Sequence, residues 1–253
     1  MELRKINNVS FTVKDIKIGD VIPVGPDNAN FLKIDKIPER LEKGFEELRS
    51  NATRYLNAPF IGDLMKQHKI TMSPTLFAQL YSVMMGVRNL FPRLGCKDYS
   101  CVYFYIENPT ANFSEVFENN LFRSEEFAIM AQMYLQSVGI NSEYIRGQYL
   151  RYKKEDFGSL NSFIMIHEAD EDFVFDPIIN SISVVELTPE QKVNVQAKLL
   201  TGKRKVAFFE TRNIITDQRS FYGYGDGGKV SEDTVFEKEQ PVLKVPVQDL
   251  SRR

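Results

Sequence analysis

Hydrophobic and polar positions change period along this chain. Val9–Val13, Val21–Val24 and Phe31–Ile34 are short apolar runs, separated by Gly19-Asp20 and by Gly25-Pro26-Asp27-Asn28. Runs of this length between turn-forming residues predict short strands. From Pro38 the period lengthens: Leu41, Phe45, Leu48 and Ala52 recur at helical spacing as far as about Leu56. Pro38 suits the first helical position, where its missing N–H costs nothing. A short helix is expected near Ile61–His68. Ser73-Pro74 then opens a longer one, reaching about Leu90, with Ser73 as cap. Its residues are apolar nearly all round, which predicts a central helix.

From Tyr99 the alternation of Val102, Phe104 and Ile106 with Cys101, Tyr103 and Tyr105 predicts a strand with two apolar faces, ended by Asn108-Pro109. Ser124 is expected to cap a helix, with Glu125 and Glu126 against the positive end of its dipole. Gly139 is expected to stop it. Extended segments follow at 142–152, 161–167, 172–175 and 181–185, with Glu168–Glu171 as the turn between the second and third. Thr188-Pro189-Glu190 predicts a further helix ending at Gly202, and Lys205–Glu210 a further strand. The layout is α+β. Residues 1–90 read as N-terminal strands and helices packed on a core at 91–222, and 223–253 as a C-terminal arm or flexible tail without a core of its own.

Composition narrows the possibilities. The chain has 253 residues, 43% of them hydrophobic, and a net charge of −2. It shows no basic imbalance of the kind that nucleic-acid binders carry, so nucleic acid is not an expected partner. No apolar run approaches the ~18–20 residues that span a bilayer, and the start lacks the apolar core of a signal peptide. A cytoplasmic location is the expectation. Two cysteines, Cys96 and Cys101, exclude a disulfide scaffold. His68 and His167 are the only imidazoles.

Three segments fall in the order of a Cys–His–Asp site: Ser124-Glu125-Glu126-Phe127-Ala128, Asn161-Ser162-Phe163-Ile164 and Phe175-Asp176-Pro177. With Leu135, Gly139-Ile140 and the Gly147 segment, they resemble the transglutaminase-like superfamily over roughly residues 99–187. The resemblance implies a papain-type fold, a helix packed on an antiparallel sheet. It also implies that Ser124 stands where the family has its nucleophilic Cys and Asn161 where it has its catalytic His, with only Asp176 kept. A hydroxyl without a base stays protonated, and a carboxamide accepts no proton near neutral pH. No catalytic residue is therefore expected among Ser124, Asn161 and Asp176. His167 is six residues beyond Asn161, roughly 20 Å along an extended chain, too far to act as its substitute.

Other motifs carry less. Gly223–Val230 matches G-x-G-x-x-G, but Val230 replaces the Mg²⁺-binding hydroxyl of a phosphate loop and no βαβ unit surrounds it. Glu168–Asp172 lacks the spacing of a calcium loop. No metal and no cofactor is expected. The expected function is that of a non-catalytic adaptor or subunit with a protein partner, and Val242, Leu243, Val245 and Val247 are the candidate partner-binding arm, able to dock as an added strand. The alternative is an active hydrolase, deamidase or acyltransferase of the same fold with a non-standard site.

Overall fold

The computed structural model describes residues 3–5, 11–24, 30–90, 100–151, 159–186, 197–198, 205–224, 236–237 and 240–241. The first half holds β1 (Leu3–Lys5), β2 (Phe11–Val13), β3 (Val21–Val24), β4 (Asn30–Lys33), α1 (Glu39–Leu56), α2 (Pro59–Gln67), α3 (Pro74–Leu90), α4 (Ser100–Glu107), β5 (Thr110–Asn112), α5 (Phe113–Glu118) and α6 (Ser124–Ser137). Among the described residues the elements of the second half are strands: β6 (Ser142–Arg151), β7 (Ser159–Glu168), β8 (Glu171–Asp176), β9 (Ser181–Val185), β10 (Ala197–Lys198), β11 (Lys205–Asn213), β12 (Arg219–Tyr224), β13 (Phe236–Glu237) and β14 (Gln240–Pro241). The protein is α+β, with helices against a large antiparallel sheet.

That sheet closes on itself. β6 pairs with β7 on one side and with β12 on the other. The rest of the ring runs β7–β8–β9–β11–β12, antiparallel at every step. Closure removes the open edges that a flat sheet would leave. β2 also joins β6, next to β12, and β1 pairs with β2, so the N-terminal strands extend the same sheet. β3, β4 and β5 form a separate small sheet.

Alternation along the strands divides their side chains between two cores. Ile145, Phe163, Met165, Val174, Val185 and Tyr222 form a cluster inside the ring. Tyr144, Ile164, Ile166, Phe173, Phe175, Ile182 and Val184 point outward into the larger core shared with the helices. α6 lies between that outer face and the helices α1 and α3. Every residue from Glu125 to Leu135 is buried. Tyr134 touches Phe45 of α1, their ring centroids 5.5 Å apart, and its hydroxyl bonds Gln79 of α3. The central helix is thus α6; α3 leaves Met85 49% exposed. On its other flank α6 holds the chain that follows β2. Gln132 Nε2 donates to the Lys14 and Ser142 carbonyls, and Ile16 N–H donates to Gln136 Oε1.

Local signals acted where they were read. Ser73 Oγ accepts the Leu76 N–H at the start of α3. Gly139 ends α6 with φ +76°, its N–H on the Gln136 carbonyl and that of Ile140 on Leu135, the paired bonds of a glycine-terminated helix. α1 and α3 cross closely at Gly86, where a Cβ would lie 2.3 Å from Leu48 Cδ2.

Four expectations are corrected. Residues 100–107 are helix α4, not a strand. The run is apolar on every side, so its period does not separate the two states. As a helix it seats Tyr105 against α6 and leaves Ile106 66% exposed. Ala197–Lys198, expected within a helix reaching Gly202, is strand β10 on the start of β11. β10 pairs with Lys205 and Val206, and β9 with Thr211–Asn213 further along β11. α1 begins at Glu39 with Pro38 as its cap residue, one position later than expected. Arg123, not Ser124, caps α6: the Glu126 carboxylate reaches back to the Arg123 N–H at 2.7 Å, as the acid of a capping box does. The candidate arm Val242, Leu243, Val245 and Val247 lies outside the described residues, as do 188–196 and 225–230.

Candidate functional site

Asn161 and Asp176 meet as the sequence order suggests. β7 and β8 are neighbouring strands, and Asn161 Nδ2 donates to Asp176 Oδ2 at 2.6 Å. Asp176 Oδ1 accepts the N–H groups of Ile178 and Ile179 in the turn that begins at Pro177. The Tyr222 hydroxyl reaches Asp176 Oδ2 at 3.4 Å from β12. Asp176 is fully buried and Asn161 9% exposed. Burial pushes the Asp176 carboxyl up to about 6, against the opposing pull of the Asn161, Ile179, Ile178 and Tyr222 hydrogen bonds.

Ser124 does not join them. Asn161 alternates with Ser162 and so shares the inner face with Phe163 and Met165. Asp176 shares that face through Val174. The helix α6, which carries Ser124 at its first position, packs on the opposite, outer face. There the Ser124 hydroxyl donates to Glu125 Oε2 at 3.0 Å. One nucleophile, one base and one orienting acid must share a cleft for acyl transfer. The three positions instead split across the thickness of the sheet.

The start of α6 holds polar residues whose joint role the sequence did not reveal. Arg146 of β6 is fully buried and faces Glu125, Nη2 to Oε1 3.9 Å. Arg123 Nη2 donates to Glu126 Oε1 at 3.0 Å, and the Tyr105 hydroxyl donates to the same oxygen at 2.6 Å. The Arg123 guanidinium stacks 4.1 Å from the Tyr105 ring centre. Tyr144 and Ser162 hydroxyls bond each other at 3.1 Å. Burial, reinforced by the Glu126 charge, pushes the Tyr105 hydroxyl well above its usual range. Arg123 loses hydration, but Glu126 and Glu125 more than offset that and hold it charged. The signal available in the sequence was a pair of arginines, Arg123 and Arg146, on segments otherwise destined for the core.

His167 sits at the far end of β7, its Nδ1 2.8 Å from Asp172 Oδ1. The neighbouring Glu168 carboxylate accepts both the N–H and the hydroxyl of Ser73, tying the β7–β8 turn to the start of α3. His68 follows α2 as its C-terminal cap residue. Among the described residues no group of three or more His, Cys, Asp or Glu side chains converges as a metal site would. Among the same residues no helix is long and apolar enough to cross a membrane. Set against known protein families, curated proteins and solved structures, the chain matches none of them.

Proposed function

We propose that the chain is a non-catalytic, transglutaminase-like protein that works by binding another protein, as an adaptor or as a subunit of a larger assembly. The observation that carries the non-catalytic reading is where the Ser124 and Asn161 side chains point. The Asn161 amide donates to Asp176 on the inner face, while the Ser124 hydroxyl donates to Glu125 on the outer face. The Ser124 hydroxyl meets a carboxylate that already faces Arg146, and the Asn161 amide takes up no proton near neutral pH, so neither joins a nucleophile to an acid-oriented imidazole. The family reading draws support from α6 packing on β6 and β7 in the expected order, and from the contact between Asn161 and Asp176. Ser124 departs from it.

Binding draws support from the helical surface. Tyr55, Phe60 and Tyr81 meet edge-on or tilted, with centroids 5.1 to 6.0 Å apart. Leu56 follows Tyr55, and Met85 lies one turn beyond Tyr81; Leu56, Phe60 and Met85 are all exposed. Large apolar side chains grouped on a surface mark contact sites more often than chance scatter does.

Two experiments test the reading. Hydroxyl- and thiol-directed acylating probes are applied to the purified chain, and no residue-specific labelling is expected. Stoichiometric labelling of Ser124 that is lost in Glu125→Gln would establish the hydrolase or acyltransferase alternative instead. Affinity purification from the native cell is then repeated with residues 225–253 removed and with Phe60→Glu. A stoichiometric partner lost in one of these variants is expected; no partner with any of the three chains would sink the adaptor reading.

A further inference from the structure

We propose that Ser73 is a phosphorylation site for a proline-directed protein kinase, and that the phosphate displaces Glu168 and frees the β7–β8 turn from the start of α3. Of the chain's 11 prolines, only Pro74 and Pro189 follow a serine or threonine, as Ser73-Pro74 and Thr188-Pro189. A kinase of this class reads its target hydroxyl by the proline that follows it. Ser73 is exposed, and so are Lys69, Thr71, Pro74 and Thr75 around it. Residues 70–73 run without helix between α2 and α3, so the hydroxyl stands on an open loop just ahead of Pro74.

The same hydroxyl is the pivot of a long-range tie. It donates to Glu168 Oε1, and the Ser73 N–H donates to Glu168 Oε2 at 2.8 Å. Its oxygen also accepts the Leu76 N–H at 3.2 Å. Glu168 ends β7 and leads into the turn to β8, where Ala169 takes φ +50°.

Phosphorylation reverses the contact with Glu168. The Ser73 oxygen forms a bond to the γ-phosphorus of ATP, the bond from that phosphorus to the β–γ bridging oxygen breaks, ADP leaves, and the hydroxyl proton passes to the kinase's base. The product has no proton left to donate. It sets a charge of about −1.5 to −2 against the Glu168 carboxylate, acceptor facing acceptor. At the start of α3 the same charge is favourable, because the helix dipole and the Leu76 N–H face it. The phosphate therefore keeps the cap of α3 and expels the carboxylate of the turn.

The test is treatment of the folded full chain, carrying Thr188→Ala, with a proline-directed kinase and Mg·ATP. Peptide mass spectrometry and amide hydrogen exchange are the readouts. One phosphate on Ser73 is expected, and none once Ser73→Ala is added. Exchange at the backbone amides of residues 169–172 should rise about fivefold or more with the phosphate, as the two bonds to Glu168 are lost. In Glu168→Gln the carboxamide has no charge to repel and can donate to the phosphate, so that rise should vanish. A chain left without phosphate on Ser73 would overturn the proposal. So would a phosphorylated chain with unchanged exchange at the turn, or an undiminished rise in Glu168→Gln.

Discussion

The outer and inner faces of β6 and β7 both bury charge, but they do so differently. On the outer face, under α6, anions meet cations: Glu125 faces Arg146, and Glu126 holds Arg123. On the inner face, among the described residues, the Asp176 carboxylate is hydrogen-bonded by dipoles: a carboxamide, two N–H groups and a phenol. Opposite charges set side by side offset part of each other's loss of hydration. Burial pushes the Asp176 carboxyl up to about 6. Two faces of one sheet thus separate charge that is paired from a carboxylate held by dipoles.

The largest expected effect comes from breaking a pair on the outer face. Arg146→Met removes the buried cation that faces Glu125 and should cost about 3 to 5 kcal/mol of folding free energy. Adding Glu125→Gln should recover a large share of that loss, because the damage lies in the uncompensated charge. Urea unfolding of the two single variants and the double variant reads the coupling directly. Simple additivity would mean that Arg146 acts through packing alone, and the contrast between the faces would weaken.

On the inner face the corresponding change is Asn161→Asp. It sets a second carboxyl within hydrogen-bond reach of Asp176, and two such groups retain one proton between them. The pair's upper titration should then move above about 6, where Asp176 lies alone. Stability should fall by about 1 to 3 kcal/mol at neutral pH and return in mild acid. Unfolding midpoints across that range check both sign and window. A loss independent of pH would show a packing fault and not a titrating pair.

A smaller effect is expected where the two halves of the molecule are tied. Ser73 caps α3 and donates twice to Glu168 at the β7–β8 turn. Ser73→Ala removes the cap and one of those bonds and should cost about 1 kcal/mol. Glu168→Gln should cost less, since an amide oxygen still accepts. Thermal unfolding separates the two.

Strand positions in the second half were legible because a half-buried strand alternates and Gly139 and the 168–171 turn punctuate it. Closure into a ring was not, since it depends on which distant strands share an edge: β6 with β12, and β9 with β11. The helix at 100–107 was misread because Val102, Phe104 and Ile106 satisfy either period when their neighbours are apolar too. Of the candidate site, the meeting of Asn161 with Asp176 could be anticipated from adjacent strands. The exclusion of Ser124 could not. Strand parity decides which face a residue occupies, and one residue separates Asn161 on the inner face from Ser162 on the outer.

That parity yields the smallest expected effect, and its size is the point. Cys96 and Cys101 are first replaced by Ala, then Ser124→Cys is made alone and together with Asn161→His. Were the two positions in one cleft, the new imidazole would raise the thiolate fraction and speed alkylation at neutral pH by about tenfold or more. With the helix on one face of the sheet and position 161 on the other, the ratio of alkylation rates should stay near one, with unchanged pH profiles. Residues that follow a familiar order along the chain do not thereby share a reaction centre; the sheet between them keeps the pair from reacting as one unit. A profile reshaped by Asn161→His would bring positions 124 and 161 back to a common cleft and reopen the enzymatic reading.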